Sequence, residues 1–481
     1  MTEPPKICLT LTAETIGENI RLAKKYADYV NLYELRADTL AEYTLDEIHD
    51  FPSQVPHPSI LTVRKVEDGG KYNGDGQERL KILRLLDTFD YVDLEYDYRC
   101  EELKALAQKS GTTIIRSMHD FQGGSADIIL KADDFALDAQ EIPKIAFMPG
   151  SLKEITELFK IAKTLPRRKR ILLAMGPLGA ATRILAQRLG SYLTFTSPEE
   201  LLQNTAQIGH IDPIALRKTY KIDKITEKTA ITGVTGWPLK VTSSPEVHRA
   251  FYSRDNLDAV LVPMPAENIE DAIELAEVLG AKGLAVTIPH KEKLIPLLDK
   301  ADNSVKSIGA ANTVIWRDGQ KLGTNTDAEG FTQAVTRFLG VDSLQGMRVA
   351  IVGAGGAARA IVYAVFKQNA IGAVFARNLE KAAEVAEQYG FEAHTLDQLT
   401  PSWNPDLIVQ CTSVGHGSVN PNDDPIPHYI FNGTEAVYDL VYNPPETPIM
   451  KRAKKAGCKV QSGMTMLIAQ AELQHKEFFT N

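Results

Sequence analysis

The first 200 or so residues repeat one unit, a short apolar run followed by a polar stretch of helical character. The runs are ICLTL (7–11), YELR (33–36), ILTVR (60–64), YVDLE (91–95), IIRSM (114–118), KIAFM (144–148), ILLAM (171–175) and LTFT (193–196). Several of the intervening segments, such as 14–26, 77–86 and 151–164, place apolar residues three and four positions apart, the spacing of one helix face. Strand then helix, eight times over, is the outline of a (β/α)8 barrel, with an open doubly wound sheet as the competing arrangement.

The run LRKTYKIDKITEKTA (216–230) is charged and has no clear period, so a linker is expected there. AITGVTG (230–236), AVLVPMP (259–265) and LAVTIP (284–289) follow, separated by helical stretches, and read as a second α/β unit. MRVAIVGAGGAARAIVYAVF (347–366) then reads as a strand, a glycine turn and a helix, with a further strand at AVFAR (373–377). Gly353, Gly355 and Ala358 fit G-x-G-x-x-G/A in the context that motif requires. The first glycine permits the tight turn, and the second lets the backbone approach a pyrophosphate resting on the helix N-terminus. At the end of the next strand, where an acid would accept a ribose 2′-hydroxyl, stands Arg377. An arginine suits a 2′-phosphate, which favours NADP over NAD; the alternative is a solvated surface charge.

The net charge of −9 speaks against nucleic acid or an anionic membrane as the main partner, though not against small anionic substrates held by local arginines. The four cysteines, Cys8, Cys100, Cys411 and Cys458, lie far apart, with neither metal-ligand spacing nor a disulfide framework, which fits a reducing cytoplasm. MTEPPKICLTLTAE has no basic n-region, so no signal peptide is expected, and no run approaches the ~18 apolar residues of a membrane span.

Two lysines stand out. Lys144 sits in the apolar strand EIPKIAFMP. It either snorkels outward or points into the barrel, where burial would make its amine a nucleophile for a ketone. His119, at the end of the preceding strand, is placed to shuttle a proton beside it or to be structural. Lys291, which closes VTIPHK, and Asp327, which closes GTNTD, could bind and protonate a ketone oxygen during hydride transfer or form a plain surface ion pair.

With these segments in hand, residues 5–215 resemble type I 3-dehydroquinate dehydratase, through YELRAD, TVRKVEDGGKY, YVDLEY, RSMHDF, IPKIAFMP and the arginine of GAATR. Residues 229–481 resemble shikimate dehydrogenase, through SSPEVH, AVTIPHK, GAANT, GTNTDAEGF, GAGGAARA, CTSVG, VYNPPETPIM and GMTMLIAQ. The resemblance implies a TIM barrel over 1–220, a shikimate-binding lobe over 229–329 completed by a C-terminal helix at about 465–481, and a Rossmann NADP lobe over 330–464. It implies two consecutive steps of aromatic amino acid biosynthesis: dehydration of 3-dehydroquinate through a Schiff base, then NADPH-dependent reduction of 3-dehydroshikimate to shikimate.

In the first half, Lys144 would form the imine, His119 would move the protons, and Glu34, Arg36, Arg64 and Arg183 would hold the substrate. Asp68 stands where the family usually has a glutamate that helps the histidine. In the lid, Thr205 replaces a serine and His210 stands in for a glutamine. In the second half, Lys291 and Asp327 would be the catalytic pair, with Thr242, Ser244, Thr287, Asn312, Tyr442 and Gln470 on the substrate. Gly353, Gly355, Gly356, Ala357, Arg377, Thr412, Leu440, Gly463 and Met466 would hold NADP. Val241 and Thr242 replace a histidine and a serine of the family pattern. Quinate dehydrogenase activity, or a non-catalytic binding role for one half, are the alternatives. The implied partners are small molecules only, with no metal; the sequence is silent on oligomeric state.

Overall fold

The eight apolar runs form eight parallel strands: β1 (Lys6–Leu11), β2 (Leu32–Arg36), β3 (Ser59–Thr62), β4 (Tyr91–Glu95), β5 (Thr113–Asp120), β6 (Ile142–Phe147), β7 (Ile171–Ala174) and β8 (Leu193–Thr196). In the computed structural model, which describes residues 4–123, 129–130, 141–166, 168–239, 242–417 and 420–480, they form one sheet. Val241 lies outside the described residues. The order β7-β6-β5-β4-β3-β2-β1-β8 brings the ends of the sheet round to each other. The β7 and β8 edges are bridged by the Tyr192 N–H to the Arg170 carbonyl at 2.6 Å, and by the Leu172 N–H to Ser191 Oγ at 3.1 Å. The sequence outline is met, and the open sheet is not what forms.

Period-two alternation sorts the interior into layers. Cys8, Leu32, Ile60, Ile115, Ile142, Ile171 and Leu193 pack in one buried apolar cluster. Two residues further along the same faces come Thr10, Glu34, Thr62, Ser117 and Lys144, so a polar layer lies over that floor, toward the strand C-termini. Helices α1 (Ile16–Lys25), α2 (Leu45–Gln54), α3 (Gly76–Leu83), α4 (Glu101–Ser110), α5 (Leu152–Ala162) and the short α6 (Ala180–Ile184) follow their strands. Thr44 and Glu47 close a capping box at the start of α2. The expected linker is more ordered than its charge suggested. It contains helical turns at Ala215–Thr219 and Ile222–Lys224, anchored by fully buried Leu216 and Ile222.

A six-stranded mixed sheet comes next, in the order β10-β9-β11-β13-β14-β12. Its strands are β9 (Ala230–Thr235), β10 (Ala259–Pro263), β11 (Gly283–Val286), β12 (Lys300–Ala301), β13 (Thr313–Arg317) and β14 (Gln320–Thr324). It carries α7 (Ser244–Arg254), α8 (Ile269–Leu279) and α9 (Asn303–Ile308). After α10 (Asp327–Leu339) a six-stranded parallel sheet forms from β15 (Arg348–Val352), β16 (Ile371–Ala376), β17 (Glu392–Thr395), β18 (Leu407–Gln410), β19 (Ala436–Asp439) and β20 (Lys459–Ser462). Its order, β17-β16-β15-β18-β19-β20, is that of a dinucleotide-binding fold, with the reversal between β15 and β18. Val349 and Ile351 enter one core and Ala350 and Val352 another, so both faces are covered, as an uninterrupted apolar strand requires. Helices α11 (Gly356–Lys367), α12 (Leu379–Ala386), α13 (Pro448–Lys455) and α14 (Met464–Phe479) complete this part. The chain divides into two compact units, Met1–Ile231 with Asn256–Gly280 and Thr232–Asp255 with Ala281–Asn481.

Phe331 of α10 is fully buried and meets Tyr438 of β19 edge-on, with ring centroids 5.5 Å apart. Phe331→Ala should cost about 3–5 kcal/mol, measured as a lower urea midpoint for loss of structure in the C-terminal half.

Candidate active sites

At the C-terminal ends of the barrel strands one cavity gathers Glu34, Arg36, Arg64, Asp68, His119, Lys144, Arg183 and His210. Thr205 is not in its lining; its hydroxyl donates to the Leu202 carbonyl at 3.3 Å. The inward reading of Lys144 holds: it is 4% exposed. Its ammonium donates to Asp93 Oδ2 at 2.9 Å, stands 4.0 Å from Glu34 Oε1, and lies 4.3 Å from the centre of the Phe195 ring. Glu34 is itself fixed by the hydroxyls of Thr10 (2.9 Å) and Thr62 (3.0 Å).

His119 stands two residues beyond Ser117 on β5, and Ser117 is in register with Lys144. Phe121 lies nearly parallel to its ring. Nδ1 is sealed from solvent and has no partner among the described residues. Burial, reinforced by the positive charges of Arg64 and Lys144, holds the ring well below the usual histidine range, so it is a neutral base at pH 7. Asp68 is shifted upward by burial and by the neighbouring Glu95. His210 bonds to Ser197 Oγ at 2.6 Å and is also pushed down by burial. Arg36 forks onto Asp38 with two bonds of 2.9 and 2.7 Å.

Arg183 differs from the cavity's other arginines, Arg36 and Arg64. It is 0% exposed, and Nη2 donates to the Ile208 carbonyl, but Nε and Nη1 meet no acceptor among the described residues. Burial alone pulls it down to about 10. A buried, half-satisfied guanidinium is costly, and a planar carboxylate in the cavity would satisfy it.

Sequence reasoning missed Asp93. It is 1% exposed and accepts from Lys144, from Arg64 Nη2 at 2.7 Å and from Ser117 Oγ at 2.5 Å. Burial works against its charge, but Arg64 and Lys144 outweigh it and hold the carboxyl well below the usual range. The signal was present in YVDLE, where an acid sits inside an apolar strand.

In the second half, Lys291 Nζ donates to Asp327 Oδ2 at 2.5 Å, with Asp327 at the first residue of α10. Asp327 is 5% exposed, which sets the pair apart from a surface bridge. Asn312 ties the site together. Its Nδ2 donates to Asp327 Oδ1 (2.9 Å), Thr326 Oγ1 (2.9 Å) and Gln470 Oε1 (3.3 Å), and its Oδ1 accepts from the Thr326 N–H. Gln474, which the sequence reading also missed, bonds the Asn312 carbonyl at 3.1 Å one turn further along α14. Thr242 bonds Ser244 at 3.1 Å and lies against Tyr442, whose phenol burial pushes upward. The Thr287 N–H is held by the Thr235 carbonyl at 2.9 Å.

The glycine turn suits a dinucleotide. Gly353 has φ +114°, and a Cβ there would lie 2.9 Å from Thr412 Cγ2. A Cβ on Gly355 would meet nothing within 4 Å, which leaves room before the α11 N-terminus, where the backbone N–H groups of Gly356 and Ala357, in the first turn, have no partner within the helix. A Cβ on Gly463 would strike the Leu440 carbonyl at 2.0 Å, so the two segments touch backbone to backbone. Met466 is buried beside them. Buried Gln410, a third omission of the sequence reading, fastens the Thr412 loop through the Thr412 and Val414 carbonyls, each at 3.1 Å. Arg377 is exposed, just past the end of β16.

The family descriptions that match are Type I 3-dehydroquinase (residues 7–227), Shikimate dehydrogenase substrate binding domain (234–314) and Shikimate / quinate 5-dehydrogenase (335–422). The chain is 29% identical to a bifunctional 3-dehydroquinate dehydratase/shikimate dehydrogenase, chloroplastic, of Arabidopsis thaliana, over 99% of this chain and 82% of that one. It is 36% identical to a shikimate dehydrogenase (NADP(+)) of Shouchella clausii, over 50% of this chain and 90% of that one. A crystal structure of a shikimate dehydrogenase in complex with NADP+ superposes with a TM-score of 0.50 at 32% identity, over 53% of this chain and 92% of that one. Fold and sites together define a two-enzyme chain, a lyase barrel followed by a dinucleotide-dependent oxidoreductase. The chain belongs to the bifunctional 3-dehydroquinate dehydratase/shikimate dehydrogenases.

Asp439, at the end of β19 just before Leu440 and Tyr442, is fully buried, and burial raises its carboxyl to about 7 although Thr447 and the Val441 N–H donate to it. The folded state therefore holds a proton between pH 4 and 7 that the unfolded chain has lost, so stability falls as pH rises across that window, by about 1.4 kcal/mol per pH unit at most. Asp439→Asn should flatten this slope in urea melts taken from pH 4 to 7.

Proposed function

We propose that Lys144 and His119 carry out the dehydration of 3-dehydroquinate and that Lys291 and Asp327 carry out the reduction of its product. The observation that carries the reading is the barrel cavity, where a buried lysine, a neutral histidine and a half-satisfied guanidinium converge. The substrate carboxylate binds Arg183, and Glu34, Arg36 and Arg64 take its hydroxyls. Lys144 adds to the C3 ketone, and water leaves to give an iminium. His119 removes the C2 proton, the electron pair passing toward nitrogen, and then protonates the departing C1 hydroxyl. Asp68 assists His119, while Thr205 and His210 belong to the lid. Hydrolysis frees 3-dehydroshikimate.

In the second half Thr242, Ser244, Thr287, Asn312, Tyr442 and Gln470 hold 3-dehydroshikimate. NADPH, when bound along Gly353, Gly355, Gly356, Ala357, Arg377, Thr412, Leu440, Gly463 and Met466, supplies a hydride. Lys291 gives its proton to the C3 oxygen, and Asp327 holds Lys291 in place. We assign the barrel to 1–220, the substrate lobe to 229–329 with a helix at about 465–481, and the NADP lobe to 330–464. All four cysteines are free thiols, which supports a cytoplasmic setting. Among the described residues, no helix is long and apolar enough to cross a membrane.

Borohydride added with 3-dehydroquinate should leave a reduced adduct on Lys144, located by peptide mass spectrometry; its absence rules the Schiff base out. Lys144→Ala should abolish dehydration and leave shikimate oxidation intact. Lys291→Ala should lower the second step by about 10²- to 10⁴-fold and spare the first, both read in a coupled assay from 3-dehydroquinate. Arg377→Ala should raise KM for NADPH by about 10- to 100-fold and leave that for NADH unchanged.

A further inference from the structure

The barrel interior contains a carboxylate whose two oxygens do different things. Asp93 Oδ1 accepts from Arg64 Nη2 and from Ser117 Oγ, at 2.7 and 2.5 Å. Oδ2 accepts from Lys144 Nζ at 2.9 Å. A carboxylate needed only to neutralise Arg64 would not have to direct its second oxygen at the reacting amine. The other acid near that amine, Glu34, is 4.0 Å away and has both oxygens engaged by Thr10 and Thr62. The Phe195 ring covers another side of the nitrogen at 4.3 Å. With Asp93 at 1% exposure, bulk water does not reach this pair to take over the role.

We infer that Asp93 is a catalytic residue of the dehydratase half, the counter-ion that keeps the Lys144 imine nitrogen protonated through turnover. The inference rests on the Schiff-base reading above. As the amine adds to the ketone, a C–N bond forms and the oxygen takes up a proton. With a second proton that oxygen leaves as water, and the nitrogen retains one N–H and a positive charge. That N–H replaces the ammonium as donor to Oδ2. The charge makes the iminium an electron sink. When C2 loses its proton to His119, the C2–H pair becomes a C2=C3 bond and the C=N π pair settles on nitrogen. When the C1 hydroxyl takes the proton from His119 and leaves as water, that nitrogen pair re-forms C=N and the C2=C3 pair moves to C1=C2. The cation is thus present before and after the neutral enamine, and a deprotonated imine would stall either side.

The groups facing this nitrogen make the carboxylate necessary. Arg36 and Arg64 present positive charge, with Asp38 and Glu95 paired onto them at 2.7 and 3.7 Å. His119 and His210 are held neutral. Cys8, below, is a buried thiol. Removing the charge of Asp93 leaves Arg64 beside a cationic nitrogen and favours the neutral imine.

The test is Asp93→Asn in the full chain. The alkaline limb of its kcat profile for 3-dehydroquinate should move at least about one unit toward lower pH, with kcat at neutral pH at least about tenfold lower. The share of Lys144 reduced by borohydride should fall at alkaline pH, and KM should change little. A raised KM with an unmoved kcat profile would mean that Asp93 only seats Arg64, and would overturn the assignment. No adduct on Lys144 in the unsubstituted chain would instead sink the Schiff-base reading itself. If the variant does not fold, the unsubstituted chain carrying 15Nζ-lysine decides. With 3-dehydroshikimate bound, the imine nitrogen signal should stay that of a protonated iminium to higher pH than a model ketimine of the same amine. Deprotonation at the same pH as the model would refute the counter-ion role.

Discussion

Charges buried in a closed barrel must neutralise one another, because water is not there to do it. The strands that close this interior bring Glu34, Arg64, Asp93, Glu95 and Lys144 into one layer above an apolar floor. Arg79 reaches the same layer from α3, gripping Glu95 at 2.6 Å and the Val63 carbonyl. Each charge has a partner at hydrogen-bond distance or a second charge close by, which makes such an interior tolerable. Arg183, which lines the cavity, is the exception: its one partner is the Ile208 carbonyl, and Nε and Nη1 meet no acceptor among the described residues. The cavity therefore has its polarity set before any ligand arrives, which reduces the reorganisation required when charge moves.

Much of this was legible in the chain itself. The eight apolar runs became eight strands with ends within about two residues of the expected ones, an accuracy ordinary for strongly patterned segments. The glycine turn landed between β15 and α11 as its context required. What stayed hidden depends on register across strands. Asp93 matters because Thr62 on one side pairs with it and Ser117, two positions from its partner Ile115 on the other, brings Lys144 within reach. No local pattern encodes that. Gln410 and Gln474 were hidden for a similar reason: each looks like an ordinary polar residue until a loop or a distant carbonyl is folded against it. The segment after the barrel misled in the opposite direction, since its charge masked Leu216 and Ile222, two fully buried anchors.

In the dehydrogenase half the comparable hub is neutral. Asn312 offers both amide hydrogens and its oxygen to groups from the end of β14, the start of α10 and α14. An amide can donate and accept at once, so it fixes the orientation of Asp327 without adding charge beside Lys291. The cost of an error there is high, because every partner is buried and would be left unsatisfied.

Helix α14 comes after every strand of the two later sheets, yet Gln470 and Gln474 on it hydrogen-bond Asn312. During synthesis the two halves therefore mature on different schedules. All barrel strands have been made once residue 196 is complete, so the lyase interior can close while the rest of the chain is still being translated. The Asn312 cluster of the oxidoreductase half lacks one side until α14 has been made, so along a nascent chain the barrel interior can be complete before that cluster is.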